Sequence, residues 1–204
     1  MVTPFAQRPT WAEINLDNLA FNFHSSKRFI GSVDYMAVIK ADGYGHSAIE
    51  CAKRLEKEGV DWLGVALPEE GFELRKAGID KPILCLGGFW DGQEGDLIAD
   101  EIVPVIFRPE QANSLNAFAK SLGKTVPVHV KIDTGMGRIG VPHNELEDFA
   151  RRIADLHNLR VEGVMTHFAT ADDLSQNEFT NLQIKLFKSA IDVLERFGIS
   201  PKYR

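Results

Sequence analysis

Six short apolar runs punctuate the chain, each followed by a glycine- or acid-bearing turn. They are YMAVIK (35–40), WLGVAL (62–67), PILCL (82–86), IVPVI (102–106), VPVHVKI (126–132) and VEGVMTH (161–167). Near-continuous hydrophobic runs of this length predict parallel strands covered by helices on their outer face. Between the runs, apolar residues return at helical spacing. In SAIECAKRLEKEG, Ile49, Ala52 and Leu55 fall at three-residue steps and Gly59 marks the end. NELEDFARRIADLH repeats the pattern with Leu146, Phe149, Ile153 and Leu156, while RPEQANSLNAFAKSLG and NLQIKLFKSAIDVLERFG close on Gly123 and Gly198. An earlier stretch, DNLAFNFHSSKRFIG, predicts a helix capped by Asp17. No interdomain linker, low-complexity tract or repeat interrupts this order, so residues 1–204 are expected to form part of one domain.

Six βα cycles limit the fold to a doubly wound α/β sheet or a barrel. A closed (β/α)8 barrel takes eight such units and about 250 residues. The last residues, GISPKYR, lie just past a helix, where a seventh strand is due. Either the sheet is open and complete, or the chain carries about six of the eight units of a TIM barrel.

Composition narrows the class. The 204 residues are 44% hydrophobic and 25% charged, ordinary for a soluble globular protein. A net charge of -6 argues against a nucleic-acid or anionic-membrane surface. No apolar run approaches the roughly 20 residues that span a bilayer, and MVTPFAQRPTWAE lacks the build of a signal peptide. Cys51 and Cys85 are too few and too far apart for a disulfide or metal framework and read as buried small hydrophobes. These features point to a reducing cytoplasm.

Three stretches carry candidate chemistry. In VIKADGYGHS, Lys40 ends an apolar run in which Val38 and Ile39 are expected to be buried. Strand ends at the C-terminal side carry the site in either α/β architecture, so Lys40 is a nucleophile at the mouth or a lysine snorkelling to solvent. Gly43 and Gly45 let the backbone approach a ligand, Tyr44 offers a phenol, and a helix starting near Ser47 offers free N–H groups to an anion. Such a set suits an aldehyde cofactor bearing a phosphate. The same glycines with Ala48 also fit G-x-G-x-x-A, and Glu69 stands where a ribose-binding acid would, which keeps a nicotinamide oxidoreductase in view. KIDTGMGRIG sets Lys131 near the end of the fifth run and places Arg138, a natural carboxylate partner, in a glycine loop. VMTHFATADD ends the sixth run with His167. The remaining histidines show no metal-ligand spacing, and no metal is assigned.

Taken together, AVIKADGYGHS, VKIDTGMGRIG and MTHFATAD resemble the N-terminal part of a bacterial alanine racemase, in order from about Trp11 to Arg204. The first departs from that family's pattern at Ser47, where glycine or alanine is common. The resemblance implies that Lys40 holds pyridoxal 5'-phosphate as an internal aldimine and is one of two bases. It implies that Tyr44 contacts the phosphate, and that Arg138 binds the substrate carboxylate and the cofactor's phenolic oxygen. In many members of that family the lysine matching Lys131 is carbamylated and fixes that arginine, and the resemblance implies that His167 supports an arginine at the pyridine nitrogen. That arginine, the last two barrel strands, the C-terminal β domain and the second base, a tyrosine from the partner of a homodimer, are all absent from the sequence. The resemblance therefore implies the front part of an enzyme that interconverts L- and D-alanine for peptidoglycan. A single-barrel pyridoxal-phosphate-binding protein without catalysis is the rival reading.

Residues 1–204 alone are expected not to racemise alanine. Loss of a positioned acid–base group costs about 10²–10⁴-fold, and unpaired strand edges weaken a barrel that has not closed. Chiral chromatography of L-alanine incubated with the 204-residue chain and pyridoxal phosphate checks this. Turnover near that of the complete gene product would contradict it.

Overall fold

The structure is a computed structural model that describes residues 11–204; most of the N-terminal segment read above for a targeting signal lies outside the described residues. A helix, α1 (Leu16–Ile30), comes first, followed by β1 (Met36–Val38) and α2 (Ala48–Lys57). Next come β2 (Trp62–Val65), α3 (Pro68–Lys76), β3 (Ile83–Cys85), α4 (Glu94–Ala99), β4 (Ile102–Ile106) and α5 (Pro109–Ser121). The chain continues through β5 (Val126–Asp133), the short β6 (Val141–Pro142), α6 (Leu146–Ala154), β7 (Leu159–Met165) and α7 (Asn177–Arg196). Every apolar run thus contains a strand. The two-residue β6 and the short α3 and α4 are additions, too brief to show a period.

Pairing is parallel throughout, in the order β1-β2-β3-β4-β5-β7, with β6 on the end of β5. This is the sheet of a (β/α)8 barrel, six of its eight units, with helices outside. Past α7, Tyr203 forms a parallel bridge with Gly163, and its carbonyl accepts the Val164 N–H at 2.9 Å. This single bridge, not a full strand, stands where the pattern put the seventh strand that the resemblance implied was absent.

The two faces of the sheet differ. Outward residues such as Leu63, Ile83, Ile106, Val130 and Ile132 are buried under the helices and form the main core. Trp62, Leu84, Val103 and Val105 gather on the inner face. Val38, expected in the core, is 38% exposed on β1, the first strand of the sheet, whereas Ile39 is buried. The cap of α1 also differs from expectation: Asn15 accepts the Asn18 N–H at 3.0 Å, and Asp17 sits in the first turn, paired with Arg54 at 2.7 Å. Asn15 lies one residue ahead of the first helical residue, the position from which a side chain reaches forward to the free amides of the first turn. Both cysteines are free and buried, as expected.

His129 lies buried on β5 between Trp62 and Tyr203, with ring centroids 5.4 and 5.9 Å away. Its ring fills the space a side chain would need at Gly163, where a Cβ would lie 2.4 Å from an imidazole carbon. Burial pushes the His129 pKa down from 6.5 to about 4. The unfolded chain therefore takes up a proton that the folded chain refuses, so this group's contribution is complete above about pH 6.5 and is lost as pH falls toward 4. We expect a loss of about 3 kcal/mol across that window, and a much flatter profile for His129→Phe. Denaturant midpoints at several pH values check this; equal slopes in both proteins would contradict it.

Candidate active site

Lys40 is the first residue released from the sheet, because the Ile39 N–H still bonds the Gly64 carbonyl at 2.8 Å. The backbone then winds left-handed from Ala41 to Gly45: φ is 50° at Ala41, 52° at Asp42, 64° at Gly43 and 57° at Tyr44. Left-handed residues bearing a Cβ cost roughly 1–2 kcal/mol each, so Ala41, Asp42 and Tyr44 together cost about 3–6 kcal/mol. Backbone and side-chain bonds offset this strain. The Gly43 N–H donates to the Ile39 carbonyl at 2.8 Å. Glu70 accepts the Ala41 N–H on one carboxylate oxygen at 2.6 Å, and the Ala66 and Leu67 N–H groups on the other at 2.7 and 3.1 Å. Asp42 accepts the Ala48 N–H at 2.8 Å. A side chain at Gly43 would also be crowded, since a Cβ would lie 3.2 Å from the Ala48 nitrogen. Ser47 has φ 66°, a conformation that favours glycine at this position.

One expectation changes here. The start of α2 does not offer all its N–H groups to an anion, because the Asp42 carboxylate occupies the first. Lys40 is half-buried rather than buried, and its Nζ lies 5.9 Å from the ring centroid of the exposed Tyr44.

The other predicted residues converge on the same mouth. Lys131 is 5% exposed on β5, and burial, then the charges of Arg138 and Lys40, hold its pKa below the ordinary lysine value; Asp133 opposes them. The His167 imidazole is lowered for the same reasons, with burial first, then Arg138, Lys131 and Lys40. Lys131 and His167 thus both sense Arg138 and Lys40. Arg138 is exposed on a loop pinned by Asp133, whose carboxylate accepts the Gly135 and Gly137 N–H groups at 2.9 and 3.1 Å. A mouth holding three cationic side chains and a histidine, opposed chiefly by one carboxylate already engaged with backbone, favours an anionic guest.

Several contributors escaped sequence reasoning. Gln183 of α7 is fully buried; its amide nitrogen donates to the Thr134 hydroxyl and the His167 carbonyl, both at 3.2 Å, and its oxygen accepts the Ala169 N–H at 3.0 Å. Thr166 bonds the Thr134 hydroxyl at 2.8 Å and donates to the Ile132 carbonyl at 2.9 Å. The loops after β5 and β7 are therefore one hydrogen-bonded unit. The signal was a glutamine in line with Phe179, Phe187 and Ile191 on the apolar face of α7. Glu69 lies exposed on α3 and accepts from Gln93 at 2.7 Å, an ordinary surface bond rather than a ribose site.

Residues 14–204 match the family described as alanine racemase, N-terminal domain. The chain belongs to that family. It is 45% identical over 193 residues to the alanine racemase of Halothermothrix orenii, covering 94% of this chain and 51% of that protein. The corresponding figures for the alanine racemase of Symbiobacterium thermophilum are 42% over 197 residues, 97% and 52%. The chain thus spans about half the length of the curated relatives it matches. Among solved structures, an alanine racemase from Clostridium difficile 630 superposes with a TM-score of 0.91 at 45% identity, covering 98% of this chain and 55% of that one. An alanine racemase from Bacillus anthracis, with bound L-Ala-P, superposes with a TM-score of 0.88 at 34% identity, covering 98% and 52%. The nicotinamide reading falls with this family assignment.

Gln183→Leu keeps the volume of the side chain, strands the His167 carbonyl and the Ala169 amide, and leaves the Thr134 hydroxyl only its bond to Thr166. At about 1–3 kcal/mol per stranded group, partly relieved by water, we expect a loss of about 2–5 kcal/mol. Adding Thr134→Val should cost little more. Fully additive losses in denaturant unfolding would show that the two do not share a network.

Proposed function

We propose that this chain supplies the cofactor-bearing barrel of a pyridoxal-phosphate-dependent alanine racemase, a cytoplasmic homodimer that provides D-alanine for peptidoglycan. The gathering of Lys40, Lys131, Arg138 and His167 at one barrel mouth carries the reading. The residues fit the cofactor: a half-buried amine at a strand end can bond an aldehyde carbon, and the neighbouring cations suit a phosphate and a substrate carboxylate. When bound, pyridoxal phosphate supplies an electron sink for the carbon that loses its proton.

The chain's own residues divide the remaining work. Lys40 Nζ takes the α-proton on one face of the substrate. A second base on the opposite face, in this proposal a tyrosine of the partner subunit outside these residues, returns a proton and inverts the centre. Arg138 grips the alanine carboxylate through two parallel hydrogen bonds. Tyr44 reaches the phosphate, and His167 supports a cation outside these residues at the pyridine nitrogen. The lowered pKa of Lys131 favours the neutral amine, the form that adds carbon dioxide with release of one proton. The resulting carbamate would turn a repulsive neighbour of Arg138 into an attractive one.

In the complete gene product, Lys40→Ala should abolish the borohydride-fixed pyridoxyl adduct and cut racemisation by at least about 10²–10⁴-fold. Lys131→Ala should lower turnover and recover part of it in acetate, which restores an anion beside Arg138. Peptide mass mapping and chiral chromatography read both. An adduct surviving in Lys40→Ala, or unchanged kinetics in Lys131→Ala, would remove that residue from the site.

A further inference from the structure

We infer that Glu70 is a positioning residue for Lys40, acting through the left-handed turn; this rests on the reading of Lys40 as the cofactor lysine. The simple role for Glu70 is local. It is the third residue of α3, and its bond to the Leu67 N–H is half of an ordinary capping box. Its other oxygen leaves that helix altogether and accepts the N–H of Ala41, 29 positions earlier, at 2.6 Å.

That amide belongs to the peptide linking Lys40 to Ala41. Its orientation sets the direction in which Lys40 leaves the sheet, and Ala41 opens the run of left-handed residues. The carboxylate also holds Ala66 and Leu67, so one side chain ties the chain just beyond β1 to the chain just beyond β2. All three of its partners are donors. Only a group that accepts on both atoms meets that demand, and a glutamine would turn an N–H₂ toward an N–H. The negative charge also suits the first turn of α3. The turn bends Lys40 toward Tyr44, and Glu70 keeps it bent.

The test uses the complete gene product with Glu70→Gln, Glu70→Asp and Glu69→Gln. Glu70→Gln should raise hydrogen exchange in the peptide spanning 40–47 about tenfold or more. The rate of borohydride trapping of pyridoxal phosphate on Lys40 should fall to a similar degree, and kcat should drop more than KM changes. Glu70→Asp, which keeps the charge but is one methylene shorter, should show the same changes to a lesser extent, and serves if the glutamine variant does not fold. Glu69→Gln removes the neighbouring first-turn charge and should leave all three measurements near wild type. Wild-type exchange and trapping in the Glu70 variants would overturn the inference, as would equal effects from Glu69→Gln. Absence of a Lys40 adduct in the wild-type protein would instead refute the cofactor reading, while the exchange measurement still decides whether Glu70 holds the turn.

Discussion

Parallel hydrogen bonding forces successive strands to leave a sheet at the same edge. In this chain β1, β5 and β7 end together, so Lys40, Lys131 and His167, far apart in sequence, meet around one mouth. The helices needed to return the chain cover the outer face, which frees the inner face for residues other than aliphatic ones. His129 and Lys131 can be buried there because they sit on inward positions of β5, the longest strand. The opposite end of the same interior is filled by Trp62, His129 and Tyr203. Chemistry and stability are thus assigned to different ends of one structure.

Bringing cations together works against folding, and so does a left-handed turn with side chains on it. The structure meets both costs with anions and amides that make no claim on a guest. Glu70 and Asp42 spend their charges on backbone N–H groups of the Lys40 turn, and Asp133 spends its charge on the Arg138 loop. Gln183 joins the loops after β5 and β7 without adding charge. The positive groups gather at one mouth, where burial first and then these neighbours lower the pKa values of Lys131 and His167, and an anion placed among them relieves the repulsion. Binding in such a site is favoured by strain already present before the guest arrives.

Much of this was legible in the residues. Each apolar run contains a strand, and the helices ending at Gly59, Gly123 and Gly198 stop where those glycines take positive φ. Periodicity reports such elements because burial on one face repeats with the geometry of the backbone. It could not report β6, which pairs only because the Arg138 loop folds back onto Ile132 and Asp133. Nor could it place Val38, whose exposure depends on which strand lies beside β1. The misplaced cap of α1 has a similar origin: Asn15 and Asp17 are both good capping residues, and hydrogen bonding chose between them.

The sequence by itself determined the alternation of strands and helices, and its resemblance to a known family pointed to the barrel class and to Lys40, Tyr44, Lys131, Arg138 and His167 as candidate site residues. Those follow from local pattern and from short motifs, in which residue type and spacing carry the information. Tertiary structure alone decided what supports them. Glu70 looks like an N-terminal acid of a helix, Asp42 like a turn residue, and Gln183 like a polar interruption in an apolar face. Each acquires its role from a partner 29, 6 or 49 positions away. A hydrogen bond is directional and short-ranged, and nothing in the order of residues states which distant amide a folded chain will bring within 3 Å of a carboxylate.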